Sequence, residues 1–218
     1  MAQHHSCKSC GSSFTKIGQH WTQSDCPSPT LSNEKKEILI GLLMGDGSAD
    51  LRSKNVAYQV NMINRAYLES VKRDMGNLFT PVRKIRNAGH SRKPVYQLRS
   101  RHLSCLNWIR EWYSSGEKVF PNNIELSPKI LRHWYVSDGS LSTNSLRVSI
   151  GVHNERNRLQ KVLQYFTDVG LPEPKTAEGK SVYLYWNKDD CVDFFNYIGR
   201  NPTEGFLWKW PKYRGVEI

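Results

Sequence analysis

The chain has 218 residues, with 31 Lys and Arg against 20 Asp and Glu, so its formal net charge is +11. Apolar residues make up 38% and aromatic residues 11%, which suffices for a packed core and argues against global disorder. The longest apolar run, residues 38–44, is far too short to cross a bilayer. The polar N-terminus has no apolar signal region. We therefore expect a soluble, intracellular protein that has no membrane partner and binds a polyanion.

The excess positive charge is concentrated in residues 51–118, which hold 14 Lys or Arg and four Asp or Glu, a net charge of +10. Between Val82 and Arg110 there are eight basic residues and no carboxylate. Such a run is either an ordinary solvated surface or a surface that faces phosphates. Because its residues also alternate as those of strands do, we favour the second interpretation.

The first part of the chain predicts a small module followed by one set of elements. Residues 1–30 are rich in Cys, His, Ser and Gln and end in the chain-breaking stretch 27–30, which is typical of a linker. From Ser32, an N-cap residue, apolar spacing predicts the following order: a helix to Gly45, a strand over 56–62, a helix over 68–78, strands over 82–86 and 95–101, and a helix over 103–112.

The same order of elements recurs after Ser127. Apolar spacing there predicts a helix over 129–137, a strand over 146–152, a helix over 159–169, a strand over 182–186 and a helix over 192–198. Gly170 and Gly199 follow the last two helices, as expected of helix ends. This repetition indicates a duplicated unit. We expect an α+β protein with a module at 1–30 and two repeats at 31–123 and 124–218.

Each repeat begins with a helix that ends in Asp-Gly-Ser, at Asp46 and at Asp138. A single copy is most simply a turn after a helix, but two copies at matching positions indicate a shared role. Gly41 and Gly45 lie on one helical face, where small residues let a second helix approach, although each glycine costs about 1 kcal/mol of helix stability. Two helices packed there bring the carboxylates together, and Mg²⁺ relieves their repulsion. Such a site supports phosphodiester hydrolysis.

These two segments, residues 39–48 and 126–140, resemble the paired motifs of the LAGLIDADG homing endonucleases. The second, LSPKILRHWYVSDGS, is similar to the stretch L-T-P-K-A-L-A-x-W-F-M-D-D-G-S of one intron-encoded branch. The resemblance in element order covers about residues 32–200. It implies a single-chain monomer with two pseudo-symmetric αββαββα halves, a central pair of motif helices, and a β-saddle in the DNA major groove. It also implies Mg²⁺-bound acidic residues that cut both strands across the minor groove.

The resemblance implies that Asp46 and Asp138 bind the metals and act in catalysis. It also implies that the backbone carbonyls of Gly45 and Ser137 face the metals. Ser137 replaces a frequent acidic residue of the family. Two larger residues, Arg132 and His133, stand where the family often has small ones, so that His133 must fit against Gly41 or the helices must splay.

The family also carries polar and basic residues that order water around the metals. At the ends of the predicted third strands, Arg101 and Lys188 are the candidates for this catalytic role. Asn64 and either His153 or Asn154 lie at the ends of the predicted first strands. Each of these candidates is otherwise an ordinary exposed polar residue.

The strands place candidate DNA-binding residues on one face of each sheet. Arginine and glutamine on such a face suit the edges of guanine and adenine in the major groove, and the basic run adds phosphate contacts. The two tyrosines of the last strand contact sugar or thymine methyl groups, or merely cover the sheet. The candidates are Gln59, Asn61, Asn64, Arg83, Lys84, Arg86, Arg92, Lys93, Gln97, Arg99, Arg147, Ser149, His153, Tyr183 and Tyr185.

The N-terminal module contains the spacing C-x2-C-x9-H-x5-C, formed by Cys7, Cys10, His20 and Cys26. Four nitrogen and sulfur ligands satisfy tetrahedral Zn²⁺, so we predict a zinc-finger-like module with structural Zn²⁺ that extends the DNA footprint. The alternative is a flexible tail with incidental cysteines, and two further histidines near the N-terminus compete as ligands.

The leading hypothesis is a site-specific, Mg²⁺-dependent endonuclease that cuts a long target site in double-stranded DNA. Two alternatives use the same scaffold: a maturase that binds intron RNA, and a DNA-binding regulator that does not cleave. The endonuclease requires Asp46 and Asp138, whereas a binding protein tolerates their loss. The sequence contains no phosphate-binding glycine loop of the G-x-x-x-x-G-K-S/T type.

Overall fold

A computed structural model describes residues 4–7, 9–24, 26, 29–85, 93–200 and 203–211. The chain forms two compact units, and each is discontinuous in sequence. The first unit contains residues 1–36 and 47–113, and the second contains residues 37–46 and 114–218. The second unit therefore contains most of the first motif helix as well as the second motif. No helix in the described ranges combines the length and apolarity needed to span a bilayer.

The N-terminal module belongs to the first unit. Strand β1 (His5–Ser6) pairs antiparallel with β2 (Ser13–Phe14), and the short helix α1 (Ile17–Gln23) follows. Gly18 of this helix is buried, and the guanidinium of Arg101 lies directly over it. The module is thus packed on the remainder of the first unit.

A four-stranded antiparallel sheet forms the centre of the first unit, in the order β3-β4-β6-β5. Tyr58, Val60 and Leu98 are fully buried on one of its faces. A 3-10 helix over Ser104–Trp112 takes the place of the predicted last helix. The elements from the first motif helix onwards are α2 (Asn33–Met44), β3 (Gly47–Asp50), β4 (Ala57–Met62), α3 (Arg65–Met75), β5 (Arg83–Ile85) and β6 (Val95–Arg99).

The second unit repeats this arrangement with a four-stranded antiparallel sheet in the order β11-β12-β10-β9. A short hairpin of β7 (Tyr113–Ser114) and β8 (Glu117–Lys118) precedes it, with Ser115 and Gly116 at positive φ in the turn. The remaining elements are α4 (Pro128–Asp138), β9 (Gly139–Ser142), β10 (Arg147–Gly151), α5 (Leu159–Asp168), β11 (Lys175–Glu178), β12 (Val182–Asn187) and α6 (Lys188–Ile198).

The predicted α+β fold with two matching repeats is confirmed, and three strands that the sequence pattern missed complete it. Strands β3 and β9 begin at the glycine directly after each motif aspartate and are four residues long. Strand β11 has the sequence Lys-Thr-Ala-Glu and is exposed along its whole length. Such short or wholly exposed strands lack the alternation of apolar and polar residues that identifies a strand.

Aromatic side chains dominate the core of the second unit. Trp134 of α4 packs against Phe166 of α5, which in turn contacts Trp186 of β12 edge-on. Tyr135 contacts Trp210 in the same edge-on geometry. These rings are essentially fully buried, and each such pair contributes about 0.5–1.5 kcal/mol beyond the burial of its area. This core fixes α4, and with it the position of Asp138.

Candidate functional site

The two motif helices cross at glycines, as predicted. Within the second unit, a Cβ on Gly41 would overlap the carbonyl oxygen of Ile130, and a Cβ on Gly45 would overlap the side chain of Ser137. Only glycine permits this approach. His133 fits at the crossing beside Gly41, where it is buried. Burial, together with the positive charges of Arg132 and Lys129, lowers its pKa to about 3, so this histidine is neutral.

The crossing brings the two motif aspartates to one site at the C-terminal ends of α2 and α4. Oδ2 of Asp138 lies 3.4 Å from the position that a Cβ on Gly45 would take, one residue before Asp46. Burial and the neighbouring charge of Asp46 raise the pKa of Asp138 to about 7. Burial also raises the pKa of Asp46, although Lys118 and Lys209 oppose this effect. Two carboxylates that resist ionisation together are a good fit for a divalent cation.

Two lysines that the sequence analysis did not select accompany these aspartates. Nζ of Lys118 donates to the carbonyl oxygen of Gly45 at 2.5 Å. Nζ of Lys209 donates to the carbonyl oxygens of Val136 and Gly139 at 2.6 and 2.7 Å. Desolvation lowers the pKa of both lysines, that of Lys209 to about 8, while the two aspartates oppose the shift. Both ammonium groups therefore interact with the carboxylate pair.

A cavity of about 290 Å³ opens beside this site in the second unit. Its lining includes Asp138, Lys118, His153 and Glu155. The carboxylate of Glu155 accepts the backbone N–H of Phe120 at 2.9 Å and is paired with Arg158 at 3.3 Å. Glu155 thus fixes the backbone two residues after Lys118. His153 lies in a 3-10 helix rather than on the polar face of a strand.

The structure places one predicted catalytic cation, Lys188, away from Asp138. Lys188 directly follows Asn187, the last residue of β12, which pairs with Arg147 of β10. Arg147 in turn pairs with Ser142, the last residue of β9. Since β9 begins directly after Asp138, Lys188 lies at the opposite end of this sheet, which corrects its assignment. The other cation, Arg101, belongs to the first unit, where it covers Gly18 of the N-terminal module.

One face of the first sheet carries most of the predicted DNA-binding side chains of that unit. The register aligns Asn61 with Gln97 and Gln97 with Arg83, and it aligns Gln59 with Arg99. All five therefore share one face. Arg99 is not free on this face, because Asp50 of β3 accepts from it at 2.9 Å and also binds Arg52. These two arginines hold the pKa of Asp50 well below its usual range, with Arg52 contributing most.

Four other predicted residues of the first unit require comment. Lys84 pairs with Tyr96, so it projects from the opposite face of the sheet, where it is exposed. Lys93 is exposed just before β6. Arg86 and Arg92 lie outside the described residues.

The remaining candidate of this unit, Asn64, has a structural role as the N-cap of α3. Its side chain accepts from the backbone N–H of Tyr67 at 3.2 Å. A cap of this type stabilises a helix by about 1 kcal/mol. Its position directly after a strand and three residues before a buried tyrosine is the sequence signature of a cap.

The second sheet also presents its predicted residues on one face. Ser149 is paired with Tyr185, and the neighbouring rows contain Arg147 and Tyr183. The guanidinium of Arg147 lies 4.7 Å from the ring centre of Tyr185 and donates to Asn187 at 2.8 Å. Tyr183 is 45% exposed. Polar and aromatic groups thus alternate with the buried core residues of β12.

The N-terminal cysteines and histidine converge as their spacing predicts. The ligand atoms of Cys7, Cys10, His20 and Cys26 all lie within 4.8 Å of one another. Sγ of Cys7 is 3.5 Å from Sγ of Cys26, and Sγ of Cys10 is 3.5 Å from Nε2 of His20. In a tetrahedral site with Zn–S bonds of about 2.3 Å, the ligand atoms lie only slightly farther apart than the atoms of these two pairs. The competing histidines His4 and His5 are not in this cluster.

Sequence reasoning missed Lys118, Lys209 and Glu155 because no motif surrounds them. Lys118 lies 20 residues before Asp138, in a two-residue strand, and Lys209 lies after the last helix, in a short 3-10 turn. Their functional relevance depends on tertiary packing. The sequence signal that could identify the two lysines is their matching position, since each lies near the end of a repeat and outside the predicted helices and strands.

Comparison with known proteins places this geometry in a family. The family described as the LAGLIDADG DNA endonuclease family matches residues 36–194. A cytochrome b mRNA maturase, bI2, from Debaryomyces hansenii is 26% identical over 174 residues, which cover 73% of this chain and 66% of the maturase. An uncharacterized protein of Methanocaldococcus jannaschii is 25% identical over 117 residues, or 51% of this chain and 43% of that protein. The chain thus spans two thirds or less of the length of these relatives.

Solved structures show the same fold. The homing endonuclease I-WcaI, bound to its DNA recognition sequence, has a TM-score of 0.73 at 17% identity, covering 84% of this chain and 86% of that one. Full-length DUF199/WhiA from Thermatoga maritima has a TM-score of 0.56 at 15% identity, covering 92% of this chain and 63% of that one. At these identities the likeness establishes the fold alone.

Proposed function

Because the chain belongs to the LAGLIDADG DNA endonuclease family, we propose that it is a site-specific, Mg²⁺-dependent endonuclease that cuts both strands of duplex DNA. The observation that carries this proposal is the pair of motif aspartates beside the crossing of α2 and α4, of which Asp138 is half-buried and Asp46 is exposed. Burial and mutual repulsion raise the pKa of Asp138 to about 7, which is an unfavourable arrangement for two carboxylates unless a cation binds them. The flanking lysines add positive charge for a phosphate.

Asp46 and Asp138 are the residues that would hold Mg²⁺, with backbone carbonyl oxygens of Gly45 and Ser137 as further oxygen donors. Carboxylate and carbonyl oxygens are the ligands that Mg²⁺ prefers. When bound, Mg²⁺ lowers the pKa of a coordinated water and neutralises charge that develops on a phosphodiester. In the structure, Lys118 donates to the Gly45 carbonyl oxygen, whose second lone pair is the one that would bind a metal.

Lys118 and Lys209 take the catalytic role that the sequence suggested for Arg101 and Lys188. Both ammonium groups interact with the two aspartates. A fixed positive charge beside the scissile phosphate stabilises the additional negative charge of the transition state. Lys118 is the better placed of the two for direct contact, because it lines the open cavity that also contains Asp138. Lys209 is 3% exposed, so its positive charge acts from the buried side of the helix end.

The polar faces of the two sheets supply DNA recognition in this proposal, with the protein acting as a monomer on a long target site. Gln59, Asn61, Gln97 and Arg83 serve in the first sheet. Arg147, Ser149, Tyr183 and Tyr185 serve in the second. Lys93 adds a phosphate contact, as do Arg86 and Arg92. Side chains of this kind on a β-surface suit base edges in the major groove.

We also propose that Cys7, Cys10, His20 and Cys26 bind one structural Zn²⁺. The module is too small to be held together by its apolar contacts, and a metal supplies the missing folding free energy. Its sequence from residue 1 to 24 contains no Asp or Glu, so the module can lie against a polyanion without repulsion. Its role is to extend the DNA-binding surface of the first unit.

One experiment separates the endonuclease from its alternatives. The full chain is incubated with a randomised duplex DNA library and Mg²⁺, and the newly formed ends and the retained duplexes are both sequenced. We expect recurrent ends within one sequence context. Retention of specific duplexes without new ends supports a non-cleaving DNA-binding regulator.

A second candidate function, intron RNA binding by a maturase, is favoured by the 26% identity to a cytochrome b mRNA maturase. If the chain neither retains nor cuts duplex DNA but retains structured RNA from a matched RNA library, this second function replaces the first. The polar faces of the two sheets would then contact RNA rather than DNA.

A further inference from the structure

The end of the first sheet that lies away from the first motif aspartate carries the N-terminal module. Gly47, the residue after Asp46, lies in the same row as Leu98 of β6. Arg101 lies three residues further along the chain, about 10 Å from that row. The guanidinium of Arg101 lies directly over Gly18 of α1. The module therefore contacts the sheet at this outer end.

Arg101 projects from the polar face of this sheet, so the module borders the face that is proposed to contact DNA. The ladder continues beyond the end of β6, because the backbone N–H of Ser100 donates to the carbonyl oxygen of Tyr58 at 2.8 Å. Side chains therefore keep alternating between the two faces. Ser100 is buried, whereas Arg101 is exposed and shares the face of Arg99.

Basic side chains gather at this outer end, which we call the basic end: Lys16, Arg52, Arg101 and Arg110. Arg52 follows β3, and its side chain is 87% exposed. Arg110 is exposed and donates to the carbonyl oxygens of Leu51 and Ser53 at 3.2 and 2.6 Å. Lys16 is exposed two residues before Gly18. Segments 50–54 and 101–111 hold four Lys or Arg against two Asp or Glu, so positive charge is in excess here.

The surface of the module is polar and carries no negative charge. An open groove of about 550 Å³ on the module is lined by residues that include Lys16, Gln19 and Gln23. Residues 1–24 contain no Asp or Glu, and the buried residues of α1 are Gly18 and Trp21. Lysine and glutamine donate to phosphate oxygens, and such contacts position a protein on DNA without reading its sequence. The phosphates of a duplex therefore fit this surface.

We infer that the basic end and the module bind the sugar-phosphate backbone of duplex DNA beyond the outer edge of the first sheet, so that the bound DNA is asymmetric about the cleavage site. This inference rests on the proposed function, because its ligand is duplex DNA. The corresponding residue of the second sheet, Lys188, is exposed, and the described ranges contain no second module of this kind. The seven residues of α1 alone span about 10 Å, the length of about three base pairs.

The first test is hydroxyl-radical footprinting of the full chain on a duplex selected from the library, without Mg²⁺ so that the DNA stays intact. We expect backbone protection to extend about three base pairs farther from the centre of the target on one side than on the other. The second test measures affinity against salt concentration. Each lost phosphate contact reduces the slope of log K against log salt by about 0.9, and we expect this reduction for Lys16→Gln and, separately, for Arg52→Gln.

A shortened duplex connects this effect to the outer end. When the additional protected base pairs on the longer side are removed, the partner of Lys16 is gone, and we expect the wild type and Lys16→Gln to have equal slopes. The control is Lys161→Gln on α5, outside the basic end, which keeps the wild-type slope on the full duplex. Lys16 is exposed and its side chain makes no cap hydrogen bond, so its replacement leaves the module folded.

The outcomes distinguish this inference from the proposed function. If protection extends equally far on both sides of the target, or if Lys16→Gln keeps the wild-type slope on the full duplex, the module does not bind DNA as inferred, while DNA binding and cleavage by the two repeats stand. If the wild type retains no duplex at all, the proposed function fails and this inference fails with it.

Discussion

The ammonium group of Lys118 donates a 2.5 Å hydrogen bond to the carbonyl oxygen of Gly45, the residue directly before Asp46. This bond places a positive charge at the end of the first motif helix, where the backbone carbonyls already attract cations. Lys209 makes the equivalent contacts at the end of the second motif helix, to Val136 and Gly139. The two motif helices therefore end in matching environments, although the two lysines come from unrelated local structures.

Replacing these lysines separates catalysis from stability. Lys118→Met removes the bond from a half-buried ammonium group to the carbonyl oxygen of Gly45, so we expect cleavage to fall about 100-fold or more while the unfolding free energy changes by about 1 kcal/mol. Lys209 is 3% exposed and bonds three carbonyls, so Lys209→Met leaves buried acceptors unpaired and destabilises the protein by about 2–3 kcal/mol. Single-turnover cleavage and urea unfolding measure the two effects.

The control for this pair is Lys161→Met on α5, outside the carboxylate site, which is expected to change neither quantity appreciably. If the wild type and a folded Lys118→Met protein cleave DNA at the same rate, Lys118 has no catalytic role.

The raised pKa of Asp138 gives the stability a defined pH dependence. In the folded protein without Mg²⁺ this carboxyl keeps its proton up to about pH 7, whereas it ionises near pH 4 when unfolded. Folding therefore binds a proton between these pH values, and the contribution of Asp138 to stability falls as the pH rises. We expect Asp138→Asn to be more stable than the wild type by about 1–2 kcal/mol at pH 8, with the difference vanishing near pH 4.

Urea unfolding at the two pH values, without added Mg²⁺, measures this difference. Asp74→Asn, at an exposed carboxylate of α3, serves as the surface control and is expected to stay within about 0.5 kcal/mol of the wild type at both pH values. A variant Asp138→Asn that is less stable at pH 8 than the wild type contradicts the account of two repelling carboxylates.

The helix crossing predicts which glycines tolerate a methyl group. A Cβ on Gly41 would overlap the backbone carbonyl of Ile130, which cannot turn away, so Gly41→Ala must push the helices apart. We expect a loss of about 2 kcal/mol or more even though alanine is the better helix former. Gly179→Ala is the matched control, because no atom lies within 4 Å of its added Cβ. Thermal unfolding of both variants tests the crossing directly.

The N-terminal cluster predicts a metal content of one Zn²⁺ per chain. Cys10→Ser removes a ligand, so we expect the purified variant to lose its Zn²⁺ and the module to become sensitive to protease. Cys105→Ser alters a cysteine outside the cluster and is expected to keep the metal. Elemental analysis by mass spectrometry measures the zinc, and a wild type that contains none contradicts the zinc assignment.

Local patterns were sufficient to predict the repeats, the helix crossing and the clustering of the N-terminal cysteines with His20. Each of these depends on spacing within a short segment, such as Gly41 and Gly45 on one helical turn or the four ligands within 20 residues. The α+β fold follows because the apolar periodicity changes between helix and strand in the same order twice.

The two lysines of the site could not be predicted from local sequence patterns. Lys118 and Lys209 lie in a two-residue strand and a 3-10 turn, and only tertiary packing brings them to the aspartates. The sequence shows that Lys188 ends a strand but not which end of the sheet lies beside Asp138, and the register puts Lys188 at the opposite end.

The central claim is that Asp46 and Asp138 form one Mg²⁺-dependent site for phosphodiester hydrolysis. Its most direct test compares the wild type with Asp46→Asn and Asp138→Asn, measuring cleavage and affinity on the same duplex selected from the library. Asparagine preserves shape and removes the charge that holds Mg²⁺. The account predicts that both variants bind the duplex as tightly as the wild type, or more tightly, and cut neither strand. Efficient cleavage of both strands by either variant would contradict it.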